Sequence, residues 1–266
     1  MADVTDMRDL LHDLRAEGSD LDTLVTELEP DDWTSATPAA GWTIAHQIAH
    51  LAWTDSVSQL ALTEPERFAE VVAQAAATPE SFVDEAAAAG AVEPPKQLLS
   101  RWRTGRNQLA EALAQTDPRA RVPWFGPAMR ATSMTTARIM ETWAHGQDIA
   151  DALGTDRAPT ARLRHVAHLG VRTRDFAYAA HGQQPPEQPF RIELHGPEAT
   201  PWTWGPADAP QRIVGPALDF CLLVTQRRHR DDLALAATGT EANRWLGIAQ
   251  VFAGPPGVGR APQGTG

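Results

Sequence analysis

Apolar residues recur at intervals of three to four through the first two thirds of the chain. Residues with this spacing fall on one face of a helix, so the pattern predicts a series of amphipathic helices. Short connections between such helices are typical of a helical bundle, which we place at residues 1–182. The predicted helical segments are 3–28 with an interruption near Gly18, 43–61, 64–88 with a break at Thr78–Pro79, 95–116, 131–154 and 159–181.

The pattern changes after residue 182. Residues 182–189 are rich in Pro and Gln, and proline cannot continue a helix. Apolar and polar residues then alternate over 190–195 and again around Trp202 and Trp204, which is typical of strands. The remaining predicted elements are helices at 215–227 and 240–253 and a strand at 233–238.

These elements predict a small α+β domain at residues 190–253. The residues that follow, 254–266, are rich in Gly and Pro and are predicted to form a disordered tail. The sequence therefore predicts a helical domain, a linker, a smaller α+β domain and a tail.

The helix predicted at 131–154 carries polar side chains where a surface helix would not. Glu141 and His145 are four residues apart and project from one face, and Asp148 follows one turn later. An apolar stripe runs along the opposite side, and small apolar residues flank the polar ones. Both sides are therefore interpreted as buried or facing a pocket. A buried glutamate is costly unless it is paired or bound to a metal ion.

A second predicted helix, at 43–61, offers further nitrogen donors. His46 and His50 are also four residues apart, and their stripe continues with apolar residues, so both histidines are expected to face inward. One of them together with Glu141 and His145 would form a set of two histidines and one carboxylate, the usual donor set of a catalytic zinc site. A hydrogen-bonded Glu–His pair without metal is the alternative, and spacing alone leaves both open.

Composition narrows the classes of function. The 266 residues are 42% hydrophobic, enough for a sizeable core, and the net charge of −11 argues against nucleic-acid binding. No apolar run approaches the length of a membrane span, and the acidic N-terminus does not resemble a signal peptide, so we expect a cytoplasmic protein. The single cysteine, Cys221, lies among apolar residues and is interpreted as part of the core.

Several short motifs together resemble the mycothiol-dependent maleylpyruvate isomerase family. They are Gly-Trp-Thr at 41–43, Ala-His-Leu at 49–51, Val-Pro-Trp-Phe-Gly-Pro at 122–127, Glu-Thr-Trp-Ala-His-Gly-Gln-Asp at 141–148 and Thr-Gln-Arg-Arg-His at 225–229. That family belongs to the DinB-like metal-binding proteins. The resemblance implies a mainly α fold, in which a DinB-like up-down four-helix bundle is followed by a small α+β domain similar to the sterol-carrier fold.

The resemblance also implies a specific set of metal ligands. It assigns His50, Glu141 and His145 to the metal, with zinc expected and another divalent ion as the alternative. His46 falls outside this set and is expected beside the substrate or in the core. Asp148 matches an acidic position next to the site, where it would orient His145 or receive a substrate proton.

Residues outside the two ligand helices complete the expected site. The family uses an arginine from the C-terminal domain, for which Arg227 is the best match and neighbouring Arg228 the alternative. Either guanidinium would hold a substrate carboxylate. Trp124 and Phe125, in the loop before the ligand helix, are expected to line the substrate pocket.

We therefore expect a metal-dependent enzyme that activates a low-molecular-weight thiol such as mycothiol. Metal coordination favours the thiolate, which would attack a small electrophilic substrate and lead to transfer or to cis–trans isomerisation. One alternative is a zinc hydrolase that uses metal-bound water. Another is a non-catalytic module that binds metal and an apolar ligand. The expected partners are small molecules, without nucleic acid or membrane, and the oligomeric state is left open.

Overall fold

A computed structural model describes residues 6–254, 256–257 and 259–263 of the chain. By their internal contacts the residues form two compact units, Met1–Arg157 and Ala158–Gly266. Each unit has its own architecture, and the first contains both of the helices to which the sequence assigns the metal ligands.

The described part of the N-terminal unit is a helical bundle. Its helices are α1 (Met7–Val25), α2 (Ile44–Thr63), α3 (Pro65–Ala77), α4 (Phe82–Ala91), α5 (Pro95–Gln115) and α6 (Ala131–Leu153). Helices α1 and α2 each pack against both α5 and α6, which gives the predicted four-helix core, and α3 and α4 lie against α2. A short antiparallel pair, β1 (Arg121–Val122) and β2 (Met129–Arg130), leads into α6.

Local signals in the sequence account for most helix ends. Helix α2 begins after Thr43, and α6 ends at Gly154, whose φ of 62° lies in the left-handed region that favours glycine. Gly18, in contrast, does not interrupt α1. Its missing side chain leaves room for Arg106 of α5, which donates to the Gly18 carbonyl, and a Cβ there would lie 3.1 Å from Arg106 Nη1.

The bundle buries an ion pair between the two helices that carry the candidate ligands. Arg138 of α6 donates from Nε to Asp55 Oδ1 of α2 at 3.1 Å, and the two residues are 3% and 4% exposed. Burial raises the pKa of the Asp55 carboxyl, although the Arg138 guanidinium opposes the shift. The pair links α2 to α6 in the core of the bundle.

The C-terminal unit combines helices with a four-stranded sheet in its described residues. The strands are β3 (Phe190–His195), β4 (Pro201–Trp204), β5 (Gln211–Pro216) and β6 (Ala236–Thr238), in the order β4-β3-β5-β6. Strand β3 is antiparallel to β4 and parallel to β5, and β6 is antiparallel to β5. The helices are α7 (Leu163–Arg172), α8 (Arg174–Ala180), α9 (Ala217–Val224) and α10 (Thr240–Leu246).

The fold class expected from the sequence is confirmed, with differences in single elements. Strands β3 and β4 lie where alternation predicts them, whereas β5 has no such signal, because polar Gln211 is buried there and apolar Val214 faces outward. The segment predicted as one helix over 159–181 is divided at Thr173. Its hydroxyl oxygen lies 2.9 Å from the carbonyl oxygen of Gln250 and 3.1 Å from that of Leu169 in its own helix, so its single proton is shared between them.

The unit boundary lies earlier than the linker predicted at 182–189. Helices α7 and α8 precede that linker but belong to the C-terminal unit, where α7 packs against α9 and α8 against α10. Of the tail predicted at 254–266, residues 255, 258 and 264–266 lie outside the described residues. The amide of Gln263 donates to the Asp232 carboxylate at 3.0 Å. None of the described helices combines the length and hydropathy that a bilayer span requires.

We predict that removal of one partner of the Asp55–Arg138 pair strongly lowers the stability of the protein. Asp55→Ala leaves a buried guanidinium without its counter-charge and should lower the free energy of unfolding by about 3–5 kcal/mol. The double variant Asp55→Leu, Arg138→Met should lose much less, because no uncompensated charge remains. Urea unfolding monitored by circular dichroism measures both.

The matched control is Arg67→Ala, which breaks an exposed pair with Glu64 of 2.7 Å and should leave stability almost unchanged. An Asp55→Ala variant as stable as this control would show that the buried pair contributes nothing.

Candidate metal centre

Three side chains of the bundle converge on one point. His50 of α2 and Glu141 and His145 of α6 each offer a ligand atom, and these atoms lie within 4.8 Å of one another. Glu141 Oε2 is 3.2 Å from His145 Nε2 and 3.6 Å from His50 Nε2. The spacing of four residues on α6 brings Glu141 and His145 together, and the packing of α2 against α6 adds His50.

The charge of the cluster suits a cation. Burial acts to raise the pKa of Glu141, but the imidazoles of His145 and His50 outweigh it and hold that pKa well below its usual range. The carboxylate is therefore ionised and turned toward two nitrogens. Two imidazoles and one carboxylate are a donor set that zinc commonly takes, and three protein ligands leave a fourth position open. The residues present thus fit the metal that the sequence suggests.

Sequence reasoning missed the residue that contacts the far side of the His145 ring. Gln47 of α2 is fully buried, and its Oε1 lies 2.5 Å from His145 Nδ1. It stands three residues before His50 on the same helix, but a glutamine matches no metal-site motif. Only the packing of α2 on α6 reveals the contact.

His46 takes a different position from His50. Its Nδ1 lies 2.8 Å from Thr43 Oγ1 and accepts a hydrogen bond from the backbone amide of Thr43 at 3.3 Å. These contacts are part of a capping box at the start of α2. Its ring centroid is 6.3 Å from that of Trp42. His46 is not part of the cluster of three ligand atoms.

Asp148 lies on α6 close to His145 in sequence and is fully buried. The sequence offers two roles for it, to orient His145 or to receive a proton. Gln47 is a further residue that contacts His145, at Nδ1. Both roles of Asp148 stay predictions.

Trp42 covers the imidazoles of the cluster. Its ring stacks on that of His145 at 5.9 Å between centroids with an interplanar angle of 19°, and it lies 5.3 Å from the ring of His50. The indole Nε1 donates to Asp84 of α4 at 3.0 Å, which holds the ring in place. The motif at 41–43 contains this tryptophan, but its position over the ligands depends on the tertiary fold.

The predicted aromatic loop reaches the cluster through one intermediate ring. Trp53 lies 6.1 Å from His50 and 6.1 Å from Phe125, measured between ring centroids, and Phe125 contacts Trp124 at 5.2 Å. Phe125 is 37% exposed, so this wall is open to solvent at its outer end. The loop therefore lies on the same side of the bundle as His50, where the sequence places a substrate pocket.

The two candidate arginines lie in the C-terminal unit, after α9. Arg227 donates from Nη1 to the carbonyl of Thr225 at 2.6 Å, and Arg228 donates to the carbonyl of Arg227 at 2.7 Å. Both are half-buried. Their role toward a substrate stays a prediction.

Cys221 of α9 is fully buried, and its thiol donates to the Leu163 carbonyl at 3.4 Å. Burial raises the pKa of this thiol, so it stays protonated and is not an activated nucleophile. The interpretation of Cys221 as a core residue is confirmed.

Comparison with known families agrees with this geometry. Residues 14–150, just over half of the chain, match the model of the mycothiol maleylpyruvate isomerase N-terminal domain. The chain belongs to the mycothiol maleylpyruvate isomerase family. All three candidate ligands of this family member fall within the matched residues. A second model, described as wyosine base formation, matches residues 186–238 in the C-terminal unit.

Two relatives from Mycobacterium tuberculosis resemble this family member over nearly its full length. They are the uncharacterized proteins MT0041, of strain CDC 1551 / Oshkosh, and Rv0036c, of strain H37Rv. Each is 56% identical over 248 residues, which cover 93% of this chain and 96% of the relative.

The fold also matches solved structures. The crystal structure of mycothiol-dependent maleylpyruvate isomerase superposes with a TM-score of 0.60 and 17% identity, covering 88% of this chain and 93% of that one. A single-substitution mutant of that enzyme matches with the same TM-score and identity over 87% of this chain. At this identity the likeness establishes a shared fold, which agrees with the resemblance read from the motifs.

We predict that His46 contributes to the stability of α2. His46→Ala removes half of the capping box and should lower the free energy of unfolding by about 1 kcal/mol. Thr43→Ala should have an effect of similar size, because it removes the other half. Thermal and urea unfolding of the metal-free protein measure both changes.

His12→Ala, at an exposed histidine of α1, is the control and should not alter stability. Equal stability of His46→Ala and this control would contradict a capping role for His46.

Proposed function

We propose that this protein is a metal-dependent enzyme that activates a low-molecular-weight thiol, such as mycothiol, toward a small electrophilic substrate. The outcome is transfer of the thiol or cis–trans isomerisation of the substrate. The proposal rests above all on one observation: the ligand atoms of His50, Glu141 and His145 converge within 4.8 Å in a member of the mycothiol maleylpyruvate isomerase family.

The three converging residues would hold a divalent metal, most suitably zinc. When bound, that ion would stabilise the thiolate form of the cosubstrate near neutral pH. Three protein ligands leave a position free for the sulfur, which favours catalysis over a purely structural site with four protein ligands. The Trp42 ring limits the access of water from the side of His145.

The remaining residues would position the electrophile. Trp124 and Phe125 present apolar surface beyond Trp53, and His46 lies close to Trp42. In the proposed step the thiolate sulfur forms a bond to one carbon of an electron-poor C=C bond, and the π electrons of that bond move toward the electron-withdrawing group conjugated with it. Protonation of the neighbouring carbon then gives transfer, whereas rotation and expulsion of the thiolate give the isomer.

The proposal assigns roles to three charged residues as well. Arg227 or Arg228 would bind a substrate carboxylate, since a guanidinium matches carboxylate geometry in a bidentate pair. Asp148 would take up or return a proton during the reaction. Asp148 is fully buried and lies three residues after His145 on α6, which supports this role.

We predict that the purified protein binds one divalent metal ion per chain. His50→Ala and His145→Ala should each abolish stoichiometric binding, because two remaining donors hold zinc poorly. The helical circular dichroism spectrum should be retained. Elemental analysis and competition with a chromophoric chelator measure the metal content.

His46→Ala is the matched control on the same helix and should keep the metal, since its imidazole is engaged with Thr43. Full metal retention by both His50→Ala and His145→Ala would refute the ligand assignment. Loss of metal in His46→Ala as complete as in His50→Ala would refute the division between the two histidines.

We further predict that turnover depends on a low-molecular-weight thiol. Maleylpyruvate, which the structural relative is named for, is the first substrate to assay, with mycothiol as cosubstrate. Removal of the thiol should abolish turnover by the metal-loaded protein, and calorimetry should show thiol binding that the His145→Ala variant lacks. Substrate cleavage that proceeds without any thiol would contradict the proposal and favour a hydrolase that uses metal-bound water.

A further inference from the structure

A chain of hydrogen bonds connects the outer nitrogen of His145 to the backbone before α2. His145 Nδ1 lies 2.5 Å from Gln47 Oε1, and Gln47 Nε2 donates to Thr37 Oγ1 at 2.9 Å. The Thr37 hydroxyl donates in turn to the carbonyl of Trp42 at 2.9 Å. Gln47 is fully buried and Thr37 is 9% exposed, so water competes little for these groups.

The last member of this chain, the Trp42 carbonyl, determines which group donates and which accepts in every hydrogen bond before it. A carbonyl oxygen only accepts, so the single hydroxyl proton of Thr37 is donated to the carbonyl oxygen of Trp42. Its oxygen must then accept from the side-chain amide nitrogen of Gln47, which turns the amide oxygen toward His145. An amide oxygen is also only an acceptor, so His145 Nδ1 must carry the proton.

With the proton on Nδ1, the inner nitrogen of neutral His145 carries the lone pair that can bind metal. In neutral imidazole only one nitrogen carries a proton, so once His145 gives up the proton that Nε2 shares with Glu141 Oε2, 3.2 Å away, Nε2 presents its lone pair to a metal ion. Two acceptors at this distance repel each other unless a proton or a cation lies between them. The hydrogen-bond chain therefore prepares His145 as a metal ligand through Nε2.

We infer that Gln47 is a positioning residue that holds His145 as the tautomer protonated on Nδ1, so that Nε2 binds the metal. The inference deepens the proposed function and rests on its metal centre. Buried partners that hold the second nitrogen of a metal-binding histidine fix its ring orientation and raise its basicity as a ligand. Here that partner is an amide, anchored by Thr37 and the Trp42 backbone.

Backbone hydrogen bonds hold the anchor of this chain. Residues Ala36 and Thr43 form an isolated antiparallel bridge, and the backbone amide of Thr37 also donates to the Trp42 carbonyl at 2.8 Å. The same Trp42 stacks its ring on His145. One short segment thus anchors Gln47, which contacts the His145 imidazole, and places an indole against one face of that imidazole.

His50 is held in another way. Its Nδ1 is buried and has no hydrogen-bond partner among the residues that the structure describes. Its ring packs between Trp42 and Trp53, at centroid distances of 5.3 Å and 6.1 Å. A change at Gln47 should therefore act on His145 and leave His50 in place.

The decisive experiment compares Gln47→Leu with Gln47→Glu. Leucine removes the acceptor, so zinc affinity measured by chelator competition should fall about 10- to 100-fold. Glutamate keeps an acceptor for Nδ1–H, and the Thr37 hydroxyl can turn to donate to the new carboxylate because the Trp42 carbonyl still accepts the Thr37 amide. Affinity should therefore stay within a few-fold of the wild type. Histidine ¹⁵N NMR of the zinc-loaded protein should show His145 protonated on Nδ1 and metal-bound through Nε2, with this signature disturbed in Gln47→Leu.

Two further variants separate positioning from a general effect on the fold. Gln59→Leu replaces a half-buried glutamine elsewhere on α2 and should leave zinc affinity unchanged. Thr37→Val removes the anchor of Gln47 without touching His145, and its loss of affinity should be smaller than that of Gln47→Leu and not additive with it. Urea unfolding of each metal-free variant shows how much stability each change removes.

The outcomes distinguish this inference from the proposed function. Wild-type zinc affinity in Gln47→Leu, or metal binding by His145 through Nδ1, would overturn the role of Gln47 while leaving the metal centre intact. If the wild type takes up no metal, the proposed function fails. In that case the tautomer of neutral His145 in the metal-free protein still tests the role of Gln47. A proton on Nδ1 supports the inference, and a proton only on Nε2 overturns it.

Discussion

The N-terminal unit is organised around three atoms that repel one another when each presents a lone pair. A carboxylate oxygen of Glu141 and one nitrogen each from His50 and His145 face a common point within 4.8 Å. His50 is buried and Glu141 and His145 are half-buried, and acceptors that are shielded from water and lack donors are costly. The arrangement is favourable when positive charge lies among them, which is why the donor set supports a metal centre.

Keeping these groups in place requires two helices at a fixed distance and orientation. The buried Asp55–Arg138 pair links α2 to α6 through the core, and Gln47 links the same two helices beside the site. Both contacts are polar and specific in geometry, unlike the apolar packing around them. Apolar packing tolerates small shifts of one helix on another, whereas each of these pairs is satisfied in one register.

The segment before α2 and the aromatic side chains around it complete the centre. Trp42 covers His145, and Trp53 connects His50 to the loop that carries Phe125. The site thus has a polar side, made of the hydrogen-bond chain behind His145, and an aromatic side that extends toward solvent. An aromatic wall with an open outer end suits a small, partly apolar molecule.

The sequence by itself determined the helical bundle, the α+β unit that follows it, and the shared face of Glu141 and His145. These features depend on helical and strand periodicity, which is local and therefore visible in a single chain. Only the tertiary structure decided that the ligand atom of His50 lies within 4.8 Å of those of Glu141 and His145, that Gln47 contacts His145, and that α7 and α8 belong to the second unit. Those contacts join residues far apart in sequence, and their geometry follows from how whole helices pack, which no local pattern encodes.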